Sequence, residues 1–337
     1  MSRRIIFICL LLSGLLTSCH PMPEQLDSPS GNFEALWRVI DEHYCFFEEK
    51  DIDWREMHDR YAPMVRENMT QRQLFSVCAA MLNELRDGHT NLSAPFATSY
   101  YRGWWSDYPQ NFDLRLVEQY YFNFNYQQLG DIFYGILPSN VGYMRVPSFT
   151  VGIGHGNIGY ILNYFNSCAG LIIDVRDNGG GNLFYAELLA SHFIPETTTV
   201  GYIMHKTGPG HNDFSKPFAI EYSPAPSGNI LWGKPVVLLT NRSTFSAANF
   251  FVAVLRAMPN VTVAGATTGG GSGMPYSSEL PCGWGVRMSA VSILDHEGRV
   301  TESGIEPDSG CAVGLDAVAA LDGHDTMIDF AVKLITR

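Results

Sequence analysis

Residues 170–181 read GLIIDVRDNGGG and residues 235–257 read PVVLLTNRSTFSAANFFVAVLRA, and these two stretches decide the fold. Each begins with a short, continuous apolar run that stops at a polar turn, and the second then enters an apolar segment of helical length. Short apolar runs bounded by turn residues are typical of strands buried on both faces. The two stretches therefore predict neighbouring strands of a sheet that helices cover on both sides.

The flanking sequence continues this alternation of strands and helices. It predicts further strands over 141–146, 198–205, 261–265 and 284–294, and helices over 158–165, 183–193, 247–257 and 325–335. The expected fold class is therefore mixed α/β (α+β).

The N-terminal part of the chain has a different pattern. Apolar residues recur at spacings of three and four over 32–48, 54–64 and 71–85, which predicts a bundle of three helices. The following stretch, 94–130, is rich in Tyr, Trp and Phe, and its alternation over 112–126 predicts strands. This aromatic stretch either lines a substrate cleft or forms an ordinary aromatic sheet surface.

Composition excludes several classes of protein. The chain has 337 residues, 46% of them hydrophobic, so it can bury a large core and is neither disordered nor a coiled coil. Its 22 Lys and Arg are outnumbered by 34 Asp and Glu, giving a formal net charge of −12. Because no basic cluster extends beyond Arg3 and Arg4, we expect no nucleic-acid partner.

The first nineteen residues have the form of a targeting segment. Arg3 and Arg4 precede the apolar run Ile5–Leu16, which is too short to span a bilayer. The following residues, up to Cys19, resemble the lipobox of bacterial lipoproteins, in which the cysteine becomes the lipidated first residue. The alternative is an ordinary secretory signal in which Cys19 is incidental. In both cases the protein is expected to work outside the cytoplasm, and the lipoprotein reading adds an anchor in a bacterial membrane, on the periplasmic or outer-membrane side.

The expected organisation has four parts. Residues 1–19 form the signal peptide and lipobox, 20–30 a polar, Pro-rich tether, 31–88 the helical bundle, and 89–337 the core. The five cysteines after Cys19 are widely spaced and include no CxxC pair. We therefore expect no zinc cage. We also expect no other metal and no cofactor.

Three segments could carry chemistry. Ser246 falls near the start of an apolar helix, where free backbone N–H groups stabilise developing negative charge, although a serine there can also be a simple helix cap. The glycines that follow Asp174 leave backbone N–H groups accessible to an oxyanion. His89 lies on the turn that ends the helical bundle, and its side chain suits a general base near neutral pH.

Together these segments resemble the C-terminal processing (tail-specific) and tricorn-core serine peptidase family. The resemblance rests on Asp174–Gly181, on Ser243–Ala248 and on the sequence GIEPD at 304–308, in this order along residues 31–335. It implies a crotonase-like ββα sheet core behind a helical segment. It also implies that Ser246 is the nucleophile and that Gly180, Gly181 and Ala247 supply the oxyanion hole. The stretch between His89 and Val141 is too short for the PDZ domain that many members insert.

The residue at position 271 points to the tricorn-like branch. The tail-specific branch uses a Ser–Lys dyad, but Gly271 stands where the lysine would be. The tricorn-like branch uses a histidine at the position of His89 and a glutamate near the GIEPD sequence, for which Glu302 is the first candidate and Glu306 the second. That branch also has a serine before the histidine, where this chain has Gly88. The polar role of that serine is thus vacant or filled by Thr90.

The resemblance implies a serine endopeptidase of Ser-His-Glu type that cleaves peptides or unfolded proteins through an acyl-enzyme. The alternative is a catalytically inactive lipoprotein with the same fold that binds a peptide or an apolar ligand. A carbohydrate-binding role is suggested only by the Trp and Tyr content. The sequence indicates neither the oligomeric state nor the natural substrate.

Overall fold

The computed structural model describes residues 26–337. The predicted signal peptide, the lipidation site Cys19 and most of the tether lie outside this range. Within residues 26–337, no helix combines the length and the apolar character needed to cross a membrane.

Three helices open the described chain: α1 (Pro29–His43), α2 (Trp54–Tyr61) and α3 (Gln71–Asn83). Each begins at a side-chain cap, supplied by Ser28, Asp53 and Thr70 respectively. α1 is shorter than predicted because the backbone becomes extended at Tyr44. A 3-10 turn, Ala62–Met64, follows α2.

The helices share their core with a sheet. Buried residues of all three helices pack against Leu92, Trp284, Val286 and Met288, which belong to or adjoin strands. The predicted boundary between 88 and 89 remains a prediction, but the apolar core extends across it.

The first sheet consists of six strands: β1 (Asn91–Ala94), β2 (Ala97–Tyr100), β7 (Thr198–His205), β8 (Phe218–Tyr222), β11 (Gly273–Glu279) and β12 (Gly285–Asp295). Their order is β2-β1-β12-β7-β8, with β11 also paired to β12. All of these pairs are antiparallel.

The second sheet consists of β3 (Gln127–Leu129), β4 (Ile132–Ile136), β5 (Gly142–Arg145), β6 (Leu171–Asp174), β9 (Val236–Thr240) and β10 (Val261–Gly265). Their order is β10-β9-β6-β5-β4-β3. The pairs joining β10, β9, β6 and β5 are parallel, and β4 and β3 complete an antiparallel edge. β6 and β9 are buried along their whole length, as the apolar runs predicted.

Helices connect and cover the sheets. The short helices α4 (Gly103–Ser106) and α5 (Leu114–Leu116) precede β3. They are followed along the chain by α6 (His155–Tyr164), α7 (Leu183–Ala190), α8 (Ala247–Arg256), α9 (Ala317–Leu321) and α10 (Thr326–Ile335). One core lies on the α6–α8 face of the second sheet, and another on its α10 face. The predicted mixed α/β class is confirmed.

The predicted strands over 112–126 are wrong. Asp113 accepts hydrogen bonds from the backbone N–H groups of Arg115 and Leu116 and so starts α5, which continues as a π-helix over Val117–Tyr121. Aromatic residues fit both a strand and a short helix, and here the Asp cap determines the outcome.

Candidate active site

Ser246 lies on the turn between β9 and α8. Its backbone has φ of 60° and ψ of −123°, a region that non-glycine residues rarely adopt. Its N–H donates to the carbonyl of Gly270 at 2.8 Å, and its side chain makes no helix-capping hydrogen bond. The strained turn therefore presents the hydroxyl away from the helix, and such strain is often found at functional sites.

The imidazole of His89 meets this hydroxyl. Nε2 of His89 lies 3.0 Å from Oγ of Ser246, although the two residues are 157 positions apart in the chain. The ring also packs against Phe245, with 4.8 Å between ring centroids. The structure thus brings together the serine and the histidine that the sequence singled out.

His89 is buried, with 6% of its surface exposed, and its environment favours the neutral ring. Loss of hydration on burial lowers its pKa below the usual 6.5, and the positive charges of Arg287 and Lys50 lower it further, against opposing effects of Asp87 and the backbone of Gly273. A neutral imidazole at neutral pH can accept the serine proton. Nε2 is free to do so when Nδ1 carries the ring hydrogen.

Two backbone N–H groups next to Ser246 are available to an oxyanion. Ala247 is the first residue of α8, and Gly181 lies on the facing turn after β6; both line the same cavity. Among the described residues, neither N–H has a hydrogen-bond acceptor. Gly180 was predicted to be a third donor. Its N–H instead donates to Oδ1 of Asn178 at 2.9 Å and is therefore not available to an oxyanion.

The two candidate glutamates lie in different places. Glu302 is buried, and its carboxylate contacts Nζ of Lys50 at 2.9 Å and the N–H of Ser272 at 2.8 Å. The structure gives no hydrogen bond between Glu302 and His89. Glu306 is exposed and lines a separate surface cavity beside Arg256. Of the two candidates, only Glu302 belongs to the buried surroundings of Ser246 and His89.

Sequence reasoning missed two charged residues beside these side chains. Asp87 is fully buried, and its Oδ1 accepts the backbone N–H of His89 at 2.7 Å. Lys50 comes from the loop after α1, and its Nζ lies 3.9 Å from Oδ2 of Asp87. Asp87 could have been noticed as an acidic neighbour of His89 in the sequence. Lys50 had no such signal, because it reaches the site only through the fold.

The charges in this cluster shift each other's pKa values. Burial raises the pKa of Glu302 to about 7, and the negative charge of Asp87 adds to this shift, while Lys50 and Ser272 oppose it. Burial would also raise the pKa of Asp87, but Lys50 and His89 outweigh it and hold that pKa below its usual value. Asp87 is therefore ionised at neutral pH, whereas Glu302 changes its protonation state near pH 7.

Packing explains both departures from the family pattern. At Gly271, φ is +77° and a Cβ atom would collide with the ring of Phe245, so a lysine cannot be placed there without moving Phe245. At Gly88, a Cβ would meet the indole of Trp104, which stacks on Phe245. The hydroxyl of Thr90 is buried without a hydrogen-bond partner among the described residues and does not bond to His89.

A cavity of about 330 Å³ opens beside Ser246. Apolar side chains dominate one part of its wall, and these are Leu183, Phe250, Met274, Pro275 and Ile293. Arg287 also lines it and is exposed, with no ion-pair partner among the described residues. The aromatic stretch before β3 does not line this cavity. Trp104 and Tyr108 instead border a second cavity, behind Phe245.

Comparisons with known proteins identify the family of the chain. Peptidase family S41 matches residues 140–310, just over half of the chain, and the tricorn protease C1 domain matches residues 27–83. A carboxyl-terminal-processing protease from Synechocystis sp. is 26% identical over 204 residues, which cover 58% of this chain and 44% of the relative. The chain thus spans less than half the length of that curated relative.

Two solved structures extend the comparison. A protein from Parabacteroides merdae is 45% identical, with 93% of this chain and 98% of that chain covered and a TM-score of 0.88. Mature CPAF in complex with lactacystin is 12% identical with a TM-score of 0.71, over 92% of this chain and 98% of that chain, and it shares the fold. On these matches, the chain belongs to peptidase family S41.

Proposed function

We propose that this protein is a serine endopeptidase that hydrolyses peptide bonds through an acyl-enzyme, with Ser246 as nucleophile and His89 as general base. The observation that carries the proposal is the 3.0 Å contact between Nε2 of His89 and Oγ of Ser246. A nucleophile and a base at hydrogen-bond distance are the minimum requirement for this chemistry.

The reaction follows from the positions of these groups. Oγ of Ser246 attacks the peptide carbonyl while its proton passes to Nε2 of His89. The negative charge that develops on the carbonyl oxygen is stabilised by the N–H groups of Gly181 and Ala247. The imidazolium then gives its proton to the leaving amine, and the acyl bond to Oγ remains. Water, deprotonated by the same imidazole, releases the acid and restores the hydroxyl.

Glu302 supports the imidazole indirectly. Its carboxylate bonds to Lys50 and Ser272 rather than to the ring, so its contribution passes through the position of these neighbours. The negative charge that stabilises the imidazolium is that of Asp87, which raises the pKa of His89.

The substrates of this proposal are peptides or unfolded proteins. The apolar wall of the 330 Å³ cavity suits an apolar side chain next to the scissile bond. The enzyme would work outside the cytoplasm, held to a bacterial membrane by lipid on Cys19. Membrane-fraction mass spectrometry tests the anchor: the acylated N-terminal peptide is expected in the parent chain and absent from Cys19→Ala.

Ser246→Ala tests the proposal. It should abolish hydrolysis of an unfolded protein substrate, while Ser243→Ala, a matched change three residues earlier in the same turn, should leave hydrolysis within about twofold of the parent. Both variants should keep the circular dichroism spectrum of the parent chain. Hydrolysis by Ser246→Ala at the parent rate would refute the assignment. Binding of a peptide or apolar ligand without turnover by the parent would favour the inactive lipoprotein instead.

A further inference from the structure

We propose that Lys50 is a positioning residue for catalysis: it ties the turn that carries His89 to the segment that carries Glu302, and so sets the imidazole against Ser246. This inference rests on the proposed peptidase function. Lys50 does not line the cavity beside Ser246, although it borders the second cavity with Trp104, and it makes no contact with Ser246, so it acts through other residues.

The contacts of Lys50 connect the turn before His89 to Glu302. Its Nζ donates to Oε1 of Glu302 at 2.9 Å and to the carbonyl of Arg86 at 3.2 Å, and it lies 3.9 Å from Oδ2 of Asp87. In return, the guanidinium of Arg86 donates to the carbonyl of Lys50 at 2.9 Å. Lys50 is thus hydrogen-bonded to Arg86 and ion-paired with Asp87, the two residues that begin the His89 turn.

Each carboxylate beside Lys50 holds the backbone near one catalytic residue. Asp87 accepts the backbone N–H of His89 and so holds the backbone of the general base in place. Glu302 accepts the N–H of Ser272, and its own carbonyl accepts the N–H of Gly271. The carbonyl of the adjacent Gly270 accepts the N–H of Ser246. Lys50 therefore connects two sets of contacts. One reaches the backbone N–H of His89 through the ion pair with Asp87, and the other reaches the backbone N–H of Ser246 through Glu302 and the adjoining segment.

Burial makes this cation necessary. The side chain of Lys50 is 11% exposed, and those of Asp87 and Glu302 are 0% and 4% exposed. Two carboxylates at such depth require a compensating positive charge, and Lys50 is the cation in contact with both. The nearby Arg287 is exposed and pairs with neither.

The sign of the expected pH effect follows from the charged groups near the ring. The titratable groups that face His89 or the cluster are Tyr44, Cys45, Lys50, Asp87, Arg287 and Glu302. Burial raises the pKa values of Tyr44 and Cys45, so both stay neutral here. Below pH 7, where Glu302 is largely protonated, the positive charge of Lys50 and the negative charge of Asp87 have opposite effects on the pKa of His89. Replacing Lys50 by methionine leaves Asp87 uncompensated, which favours the imidazolium. The acid limb of the reaction should then move to higher pH, by about half a unit or more.

The experiment measures the second-order rate at which a fluorophosphonate probe labels Ser246 in the full chain. Lys50→Met is expected to label roughly 10- to 100-fold more slowly than the parent, because a misplaced base loses orientation. In peptide hydrolysis, kcat should fall while KM stays within about twofold, because Lys50 does not line the cavity. Lys234→Met is the matched control, since Lys234 also holds backbone carbonyls, those of Asn166 and Cys168, but away from the site.

Labelling of folded Lys50→Met within twofold of the parent, with an unshifted pH profile, would overturn the inference. If Lys50→Met does not fold, the double variant Lys50→Met/Glu302→Gln, which removes one buried charge, is compared with Glu302→Gln alone. Slower labelling of the double variant supports the inference, and equal rates overturn it. A parent chain that is not labelled at all refutes the proposed function itself, which keeps the two failures distinguishable.

Discussion

The turn that carries the oxyanion donor Gly181 should depend on one buried arginine. Arg176 has no exposed surface and lies between two carboxylates: its Nη2 is 2.6 Å from Oδ2 of Asp174, and its Nη1 is 2.9 Å from Oδ2 of Asp325. Asp174 ends β6, and Asp325 caps α10. The arginine thus joins the strand and the helix just before the Gly181 turn.

Arg176→Met removes this cation and keeps most of the side-chain volume. The change leaves two buried carboxylates without a positive partner, and breaking a buried pair in this way costs about 3 to 5 kcal/mol. Protonation of one carboxylate would recover part of the loss, so the deficit should shrink as the pH falls. Urea denaturation at pH 7 and pH 5 measures the free energy of unfolding.

Arg256→Met is the control. Arg256 pairs with Asp308 at 3.0 Å, but both side chains are about one-third exposed, and such a pair contributes about 0 to 1 kcal/mol. A loss below about 1 kcal/mol in Arg176→Met at pH 7, equal to that of the control, would refute the reasoning that this buried cation holds the turn.

Three further predictions concern the chemistry. Because burial lowers the pKa of His89, the ring stays neutral below its usual pKa, and the acid limb of kcat/KM measured in a pH series should lie below pH 6.5; a limb above pH 7 would contradict this. Gly271→Lys should create no Ser–Lys enzyme and should lower the melting temperature, because the new side chain displaces Phe245; retained activity in a Gly271→Lys/His89→Ala double variant would contradict this. Leu183→Asp should reduce cleavage next to apolar residues by about tenfold in a peptide-library assay, since the charge enters the apolar wall of the cavity, and an unchanged preference would show that substrates bind elsewhere.

The sequence pattern predicted correctly the strands and the helix that are buried on all sides. β6 and β9 are continuous apolar runs, and α8 begins directly after Ser246, so local pattern and final burial agree. The short helices after Asp113 were missed because an alternating aromatic pattern outweighed a single capping residue. The local sequence pattern therefore predicts a helix or strand correctly where that pattern alone determines how the element is buried.

The site could be predicted only in part for the same reason. Ser246 and His89 were identified from motifs, and the fold brings them together. The contacts of Glu302 could not be foreseen, because its partner Lys50 lies in an early loop without a motif. The use of the Gly180 N–H by Asn178 is likewise a property of the folded turn rather than of the sequence.

The site of covalent modification by a fluorophosphonate, located by peptide mass spectrometry, tests the central claim most directly. A single adduct on the peptide that contains Ser246 is expected, formed much more slowly in His89→Ala and absent in Ser246→Ala. An adduct on another residue, or equal labelling of His89→Ala and the parent, would contradict activation of Ser246 by His89.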